Sequence, residues 1–350
     1  MSTLLYFRDA KRRLAPYAAP IGVALNLLLL WLIIKKSTPT MKNFKKVLLL
    51  TCISELTFSA INFVFVFTVT VIDGTYFCII EGIFGHLSPF WTGVGYDGFL
   101  YFVYASVSNN TVVFFYRYLV VCRSKTLNAG TFMCCIGVGW SLIFLYICGL
   151  TYMFVTEPVD SDIHNKLTKA GFPTNGSFDN YISCKVERFS DYVTYGAVPF
   201  TTIAYVAVIA MSFAVQRNFK RLRSLMSSSE RRFHNEITTI LWVEAVTPFV
   251  TVVLPIYYDI SKIIIPNMPF NWFAEFIWLL TLIGPTFTAI VKLSSIKAFR
   301  DYIHKSIYKL IYKEEPMMKV TQLTTVSGSQ AILHSSLQKS YSKSAVVMLR

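Results

Sequence analysis

Charged residues are scarce in this chain, and basic residues are missing from every long apolar run. Charged side chains make up 15% of the 350 residues, whereas hydrophobic side chains make up 54%. A lysine or arginine at the centre of a membrane helix costs roughly 2.5–3.5 kcal/mol, so a lipid bilayer enforces this kind of exclusion. The seven runs without Lys or Arg cover residues 14–34, 47–72, 92–116, 131–155, 192–215, 237–260 and 270–291.

Each run is long enough to cross a membrane as a helix. About 20 residues, rising 1.5 Å each, cross a hydrocarbon core of about 30 Å. Strands of a membrane barrel would be about half as long and would alternate in polarity. The sequence therefore predicts an all-α membrane protein built as a seven-transmembrane helix bundle.

Motifs for catalysis, metal binding and nucleic-acid binding are also missing. The sequence has no phosphate loop, no zinc motif and no nucleophile elbow, and its five histidines are scattered over loops and tail. We therefore predict no enzyme activity, no metal and no cofactor. The net charge of +14 belongs to loops, where it suits anionic lipid head groups as partners rather than nucleic acid.

The distribution of basic residues predicts the orientation. With the N-terminus outside, the three inner loops carry 14 Lys and Arg residues and the outer segments carry 9. The positive-inside rule favours this arrangement. The predicted parts are an extracellular N-terminus, the transmembrane domain, a cytosolic amphipathic helix and a disordered Ser/Thr-rich tail, at residues 1–13, 14–294, 295–313 and 314–350.

Two features of the outer loops agree with that orientation. Asn175 begins an Asn-Gly-Ser glycosylation sequon in the long loop between the fourth and fifth runs. Of the seven cysteines, only Cys78 and Cys184 face the oxidising side of the membrane. A disulfide between them is predicted, with two unpaired thiols as the alternative.

Several motifs together carry a family resemblance. Asn26 lies in the first run, and Glu244 begins Glu-Ala-Val-Thr-Pro in the sixth. The third helix ends in Phe-Tyr-Arg-Tyr, which starts at Phe115 and extends just past the third run. Gly284-Pro285 lies in the seventh, and Lys-Ala-Phe-Arg-Asp-Tyr follows from Lys297. Over about residues 15–305 the chain resembles the nematode serpentine chemoreceptors of the Str superfamily, class delta. The resemblance implies an olfactory-type G-protein-coupled receptor in the plasma membrane of sensory cilia, with a small-molecule ligand and a heterotrimeric G protein as partners.

The predicted G-protein contacts are Tyr116, Arg117 and Tyr118, where the third predicted helix meets the cytosol. Receptors of this kind commonly carry an Arg here, usually after an acid, but Tyr116 replaces the acid and removes an adjacent carboxylate lock. The alternative is an ordinary boundary arginine that extends to the membrane surface.

Stepping back from Arg117 by helical turns predicts a ligand-facing stripe. Its members are aromatic or apolar, and packing is the alternative role for each. Acids near the outer ends would suit an amine or a peptide terminus. The predicted ligand-binding residues are Tyr96, Asp97, Phe99, Val103, Tyr104 and Glu275. Glu244 lies deeper, where burial favours a neutral acid that hydrogen-bonds across the bundle or senses ligand.

Three prolines interrupt the last two runs. Pro248 and Pro255 lie in the sixth and Pro285 in the seventh. Proline removes a backbone donor and kinks a helix, so these residues are predicted hinges for outward movement of the sixth helix. Their general abundance in membrane helices is the alternative explanation.

Other functions left open by the sequence are a transporter or channel, and a receptor-like membrane protein that does not signal.

Overall fold

The protein is described from a computed structural model, which covers residues 3–37, 44–81, 88–156, 162–169, 181–222, 228–264 and 272–312. The chain divides into two compact units, residues 1–301 and 302–350. The first unit contains the helix bundle. The described residues of the second unit are 302–312, which form the later part of the last helix. Asn175, Lys313 and the predicted tail lie outside the described residues.

The first unit is a bundle of long helices with a small sheet. The helices before the sheet's last strand are α1 (Thr3–Lys35), α2 (Lys45–Val64), α3 (Pro89–Cys122), α4 (Ala129–Val155) and the short α5 (Ile163–Lys169). Those after it are α6 (Val186–Tyr195), α7 (Ala197–Leu222), α8 (Ser228–Pro248), a π-helical segment (Phe249–Val253), α9 (Leu254–Ile264), α10 (Trp272–Ser295) and α11 (Lys297–Tyr312). The seven-helix bundle is as predicted: α6 and α7 form the fifth span, and α8 to α9 form the sixth.

Six helical segments of the described chain are long and apolar enough to cross a membrane by length and composition. The remaining long helix, α3, is rich in tyrosine, serine and asparagine. It packs against α2, α4 and α7, and its polar side chains Ser108, Asn109 and Asn110 are buried inside the bundle. Because neighbouring helices cover α3 on several sides, it does not need the apolarity of a lipid-facing helix.

The predicted second span, 47–72, is wrong at its outer end. The helix stops at Val64, and the chain continues as strand β1 (Val66–Ile72), which pairs antiparallel with β2 (Thr75–Glu81). Asp73 and Gly74 connect the strands, both with positive φ, at 46° and 73°. A two-residue turn of this kind is the preferred hairpin connection, and alternating Val, Phe and Thr favour a strand over a helix.

The third strand, β3 (Tyr181–Lys185), completes a sheet of order β1-β2-β3. One face of β2 packs on the bundle through Tyr76, Cys78 and Ile80. The other face packs Phe77 and Ile79 against Leu167 of α5. The sheet is thus a layer between the outer ends of the helices and α5.

The predicted Cys78–Cys184 disulfide is absent from the structure. Both residues are buried thiols on neighbouring strands, but the register pairs Cys78 with Ile182 and Cys184 with Tyr76. The two cysteines are therefore diagonal neighbours, for which the Cα separation is roughly 7–8 Å. A disulfide requires a Cα separation below about 7 Å, so bridging them would need the strands to shift.

The amphipathic helix predicted after the bundle is α11. It follows α10 with only Ile296 between them. Ile307 and Ile311 are exposed. An exposed apolar stripe is what a helix lying on a lipid surface presents to the membrane.

Candidate functional site

The outer half of the bundle brings together most of the predicted ligand-binding residues. Tyr96, Phe99, Val103 and Tyr104 of α3 are buried in one hydrophobic cluster. Asp97 is turned toward α4, where Thr151 Oγ1 donates to its Oδ2 at 2.5 Å. The side chain of Glu275, on α10, lies outside the described residues.

The sheet covers this aromatic cluster from the outside. The ring of Phe67 on β1 lies 5.6 Å from that of Tyr96 and 5.1 Å from that of Phe99, measured between centroids. The hydroxyls of Tyr76 on β2 and Tyr96 are hydrogen-bonded at 2.7 Å. Tyr76 also stacks on Phe189 of α6 at 3.9 Å. The predicted stripe therefore packs beneath a lid of strands rather than facing open water.

A small cavity remains between this cluster and the sheet. It has about 20 Å³ of free space, enough for about one water molecule. Its lining includes one basic side chain, one amide and several aromatic rings, from α1, α2, β1, α3 and α10. The principal lining residues are Lys11, Asn62, Phe65, Phe67, Phe99 and Trp278.

The cytosolic half is organised by a buried cluster of charges. Arg117 Nη2 of α3 lies 3.0 Å from Glu244 Oε2 of α8, and Lys292 Nζ of α10 lies 3.1 Å from Glu244 Oε1. The exposed fractions of Arg117 and Lys292 are 1% each, and that of Glu244 is 4%. One carboxylate thus connects three helices inside the membrane domain.

This cluster corrects two expectations about charge. Arg117 and Lys292 each lie one residue beyond a predicted span, but α3 and α10 continue past them, so both cations are buried in the bundle. Glu244 was expected to be neutral. Two cations in contact with its oxygens favour the ionised carboxylate instead. Lys292 is further fixed by donating to Thr51 Oγ1 of α2 at 2.9 Å.

The residues beside Arg117 differ in their surroundings. Tyr116 is buried against Phe132 of α4, with Lys46 Nζ 4.6 Å from its ring centroid. Tyr118 is only partly buried, and its hydroxyl accepts from Arg123 Nε at 3.3 Å. Arg117 itself uses only Nη2, because its Nε and Nη1 have no partner among the described residues. Most of its donor capacity is therefore available to another acceptor.

The predicted hinge prolines surround an irregular segment. The π-helical turn Phe249–Val253 begins directly after Pro248 and ends two residues before Pro255. Pro255 has no N–H to bond the carbonyl of Thr251, and Thr281 Oγ1 of α10 donates to that carbonyl at 2.7 Å. At Pro285, Asn26 Nδ2 of α1 donates to the carbonyl at 3.4 Å. Neighbouring helices thus satisfy groups at or near these irregular turns.

Comparison with known proteins decides the family. A family model for serpentine type 7TM GPCR chemoreceptors, Srd, matches residues 13–305. The chain belongs to the Srd family. The receptor is also similar in fold to squid rhodopsin, with a TM-score of 0.50 and 13% identity, over 91% of this chain and 89% of that chain. No curated protein matches the sequence.

Family membership confirms the predicted kind of protein, a multi-pass membrane receptor of the chemosensory class. Neither Lys11 nor Lys292 of this Srd receptor was predicted as a functional residue. Lys11 stands among other charges in the predicted N-terminus, and Lys292 lies just beyond the seventh predicted span. The hairpin was also missed. The turn residues Asp73-Gly74, flanked by alternating apolar residues, are typical of a hairpin, but the long apolar run favoured a continuous helix.

Proposed function

We propose that the receptor binds a small chemical ligand in the outer half of its helix bundle and signals to a heterotrimeric G protein. The observation that carries this proposal is the buried connection of Arg117 and Lys292 through Glu244. It holds the cytosolic side of α8 against α3 and α10 in the resting state. Family membership favours this function over a transporter or a channel.

The hinge supplies a route between the two halves. The π-helical segment follows Glu244 along the same span, and its last two residues, Val252 and Val253, pack in the hydrophobic cluster that contains Tyr96 and Phe99. A ligand that repacks the aromatic side chains therefore acts on the irregular turns of the same helix. The ligand shifts the population toward a second state only by as much as it binds that state better. In that state α8 moves outward and Glu244 leaves Arg117.

The G protein is then recognised by Arg117 and its surroundings. The unpartnered Nε and Nη1 of Arg117 provide donors for a carbonyl or carboxylate of the partner. We place Tyr116 and Tyr118 beside this contact, Tyr116 as packing support for α3.

Following the family resemblance, we place the receptor in the plasma membrane of sensory cilia, where a fluorescent fusion expressed in sensory neurons would locate it.

Replacing Arg117 tests the signalling role. The receptor is expressed with a promiscuous G protein, and mixtures of volatile and water-soluble chemicals are screened by calcium imaging. We expect Arg117→Ala to abolish the response while the surface level is retained, because Glu244 keeps its contact with Lys292. Arg123→Ala is the matched control, since Arg123 ends the same helix with an exposed side chain.

The result is read against surface expression of each variant. A response that survives Arg117→Ala at full size would contradict the proposed coupling. Loss of the response in both arginine variants would show only that the end of α3 is sensitive to charge. Loss confined to Arg117→Ala assigns signalling to that side chain.

A further inference from the structure

Lys11 is a buried cation without a described counter-ion. Its exposed fraction is 8%, and its ammonium donates to the carbonyl of Phe67. An ammonium group has three donors, and a buried charge costs several kcal/mol unless it is paired. Among the described side chains, no carboxylate lies within ion-pair distance of Lys11. Among the described residues, its surroundings therefore satisfy one donor and supply no negative charge beside it.

Asn62 adds a second donor on the same cavity. Its exposed fraction is also 8%, and its Nδ2 has no acceptor among the described residues. A buried donor without an acceptor keeps the full penalty of its desolvation, and an acceptor on a ligand would remove that penalty. Lys11 and Asn62 both line the enclosed space beneath the sheet. A single group with negatively charged oxygens would satisfy both.

The rest of the lining is apolar except for Thr281, whose hydroxyl donates to the carbonyl of Thr251. Phe65, Phe67, Phe99 and Trp278 present rings to the cavity. The free space of about 20 Å³ holds about one water molecule, so a ligand would have to displace these rings to bring a charged group to Lys11 and Asn62. An amine placed in this cavity would meet the charge of Lys11, and Asp97, the acid expected to receive an amine, is not part of the lining.

We propose that the ligand of this receptor is a small organic carboxylate, with its charged group bound by Lys11 and Asn62 and its apolar part packed on the aromatic rings. The inference rests on the proposed function and names the ligand class. It reverses the charge expected from the acids at the outer ends of the helices. In this proposal the sheet helps to form the binding site, since the carbonyl of Phe67 on β1 accepts a hydrogen bond from Lys11 and positions it.

Binding is tested on the purified full-length receptor, without a G protein. The probes are straight-chain carboxylates from acetate to octanoate, with the matching primary amides and amines, and the readout is the apparent Tm. We expect carboxylates to raise the Tm of the wild type and the amides and amines to leave it unchanged. Sodium chloride and sodium phosphate at equal ionic strength separate an organic acid from a simple anion.

Three variants assign the effect to the cavity. We expect Lys11→Gln to weaken the carboxylate effect at least tenfold in apparent affinity, because it removes the only described positive charge of the lining. Asn62→Leu should weaken it less, and it serves as the second variant if Lys11→Gln folds poorly. Arg12→Gln is the matched control, because Arg12 is the next residue of α1 but has an exposed side chain.

Several results would overturn the proposal. One is equal stabilisation of the wild type, Lys11→Gln and Asn62→Leu. Others are stabilisation only by amines, amides or inorganic anions, and no stabilisation by any carboxylate at millimolar concentration. Because this assay needs no signalling, a receptor that couples through Arg117 yet binds no carboxylate refutes the ligand class alone. A receptor that binds carboxylates but never activates a G protein refutes the proposed function instead.

Discussion

Replacing Glu244 with glutamine is expected to raise ligand-free signalling severalfold and to lower thermal stability. Glutamine keeps the size of the side chain but removes the negative charge between Arg117 and Lys292. Breaking a buried ion pair by neutralising one partner costs about 3–5 kcal/mol, since the remaining charge stays buried. Here two cations would be left facing a neutral amide.

The free energy lost on replacing Glu244 destabilises mainly the resting state. In an outward position of α8, the cations can meet water or the G protein, so that state loses less. A change of about 3 kcal/mol is enough to bring a state populated at roughly one per cent to about half. Basal G-protein activation per surface receptor measures this shift, and the apparent Tm of the purified receptor measures the lost stability.

Glu236→Gln provides the control for Glu244→Gln. Glu236 lies on the same helix, two turns earlier, and is only partly buried. Its Oε2 lies 3.5 Å from the backbone nitrogen of Lys297. We expect basal signalling close to that of the wild type. A Glu244→Gln receptor with normal surface level and unchanged basal signalling would show that the charge cluster does not hold the resting state.

The second large effect is expected at Gly22, where three helices meet. A Cβ on Gly22 of α1 would lie 2.9 Å from Ser59 Oγ of α2 and 2.9 Å from Thr286 Oγ1 of α10. Small residues at such crossings let membrane helices approach closely. Gly22→Leu would therefore force α1 away from both neighbours. Overpacking of this kind costs about 1–3 kcal/mol.

Surface expression and the apparent Tm of the purified receptor measure the effect of Gly22→Leu. We expect a Tm lowered by about 5 °C or more. Gly137→Leu on α4 is the matched control, since a Cβ there meets no atom within 4 Å and the residue is exposed. Leucine is the better helix former, so this control should be neutral or slightly stabilising. Equal losses in both variants would refute close packing at Gly22.

The aromatic lid affects how a ligand reaches its site. Phe67 and Tyr76 belong to the hairpin and contact Tyr96 directly. A ligand entering from outside must therefore displace strand side chains before it meets α3.

The sequence by itself determined the number of spans and the family, and the bias of its basic residues predicts the orientation. Apolar runs of about 20 residues and the bias of basic residues depend only on the bilayer, which acts on every sequence in the same way. The motifs around Asn26, Arg117 and Pro285 supplied the resemblance. The stripe Tyr96, Phe99 and Val103 also followed from helical periodicity, since residues three to four apart share one face.

Only the tertiary structure decided which charges are buried and what they contact. Hydropathy does not fix the end of a helix to within one turn, so the predicted spans stop just before Arg117 and Lys292 although both lie inside the bundle. Glu244 meets Arg117 across 127 positions of the chain, and that pairing depends on how three helices rotate and pack. Lys11 and Asn62 meet at one cavity for the same reason. A sequence carries the charges, but their compensation depends on neighbours that only folding brings together.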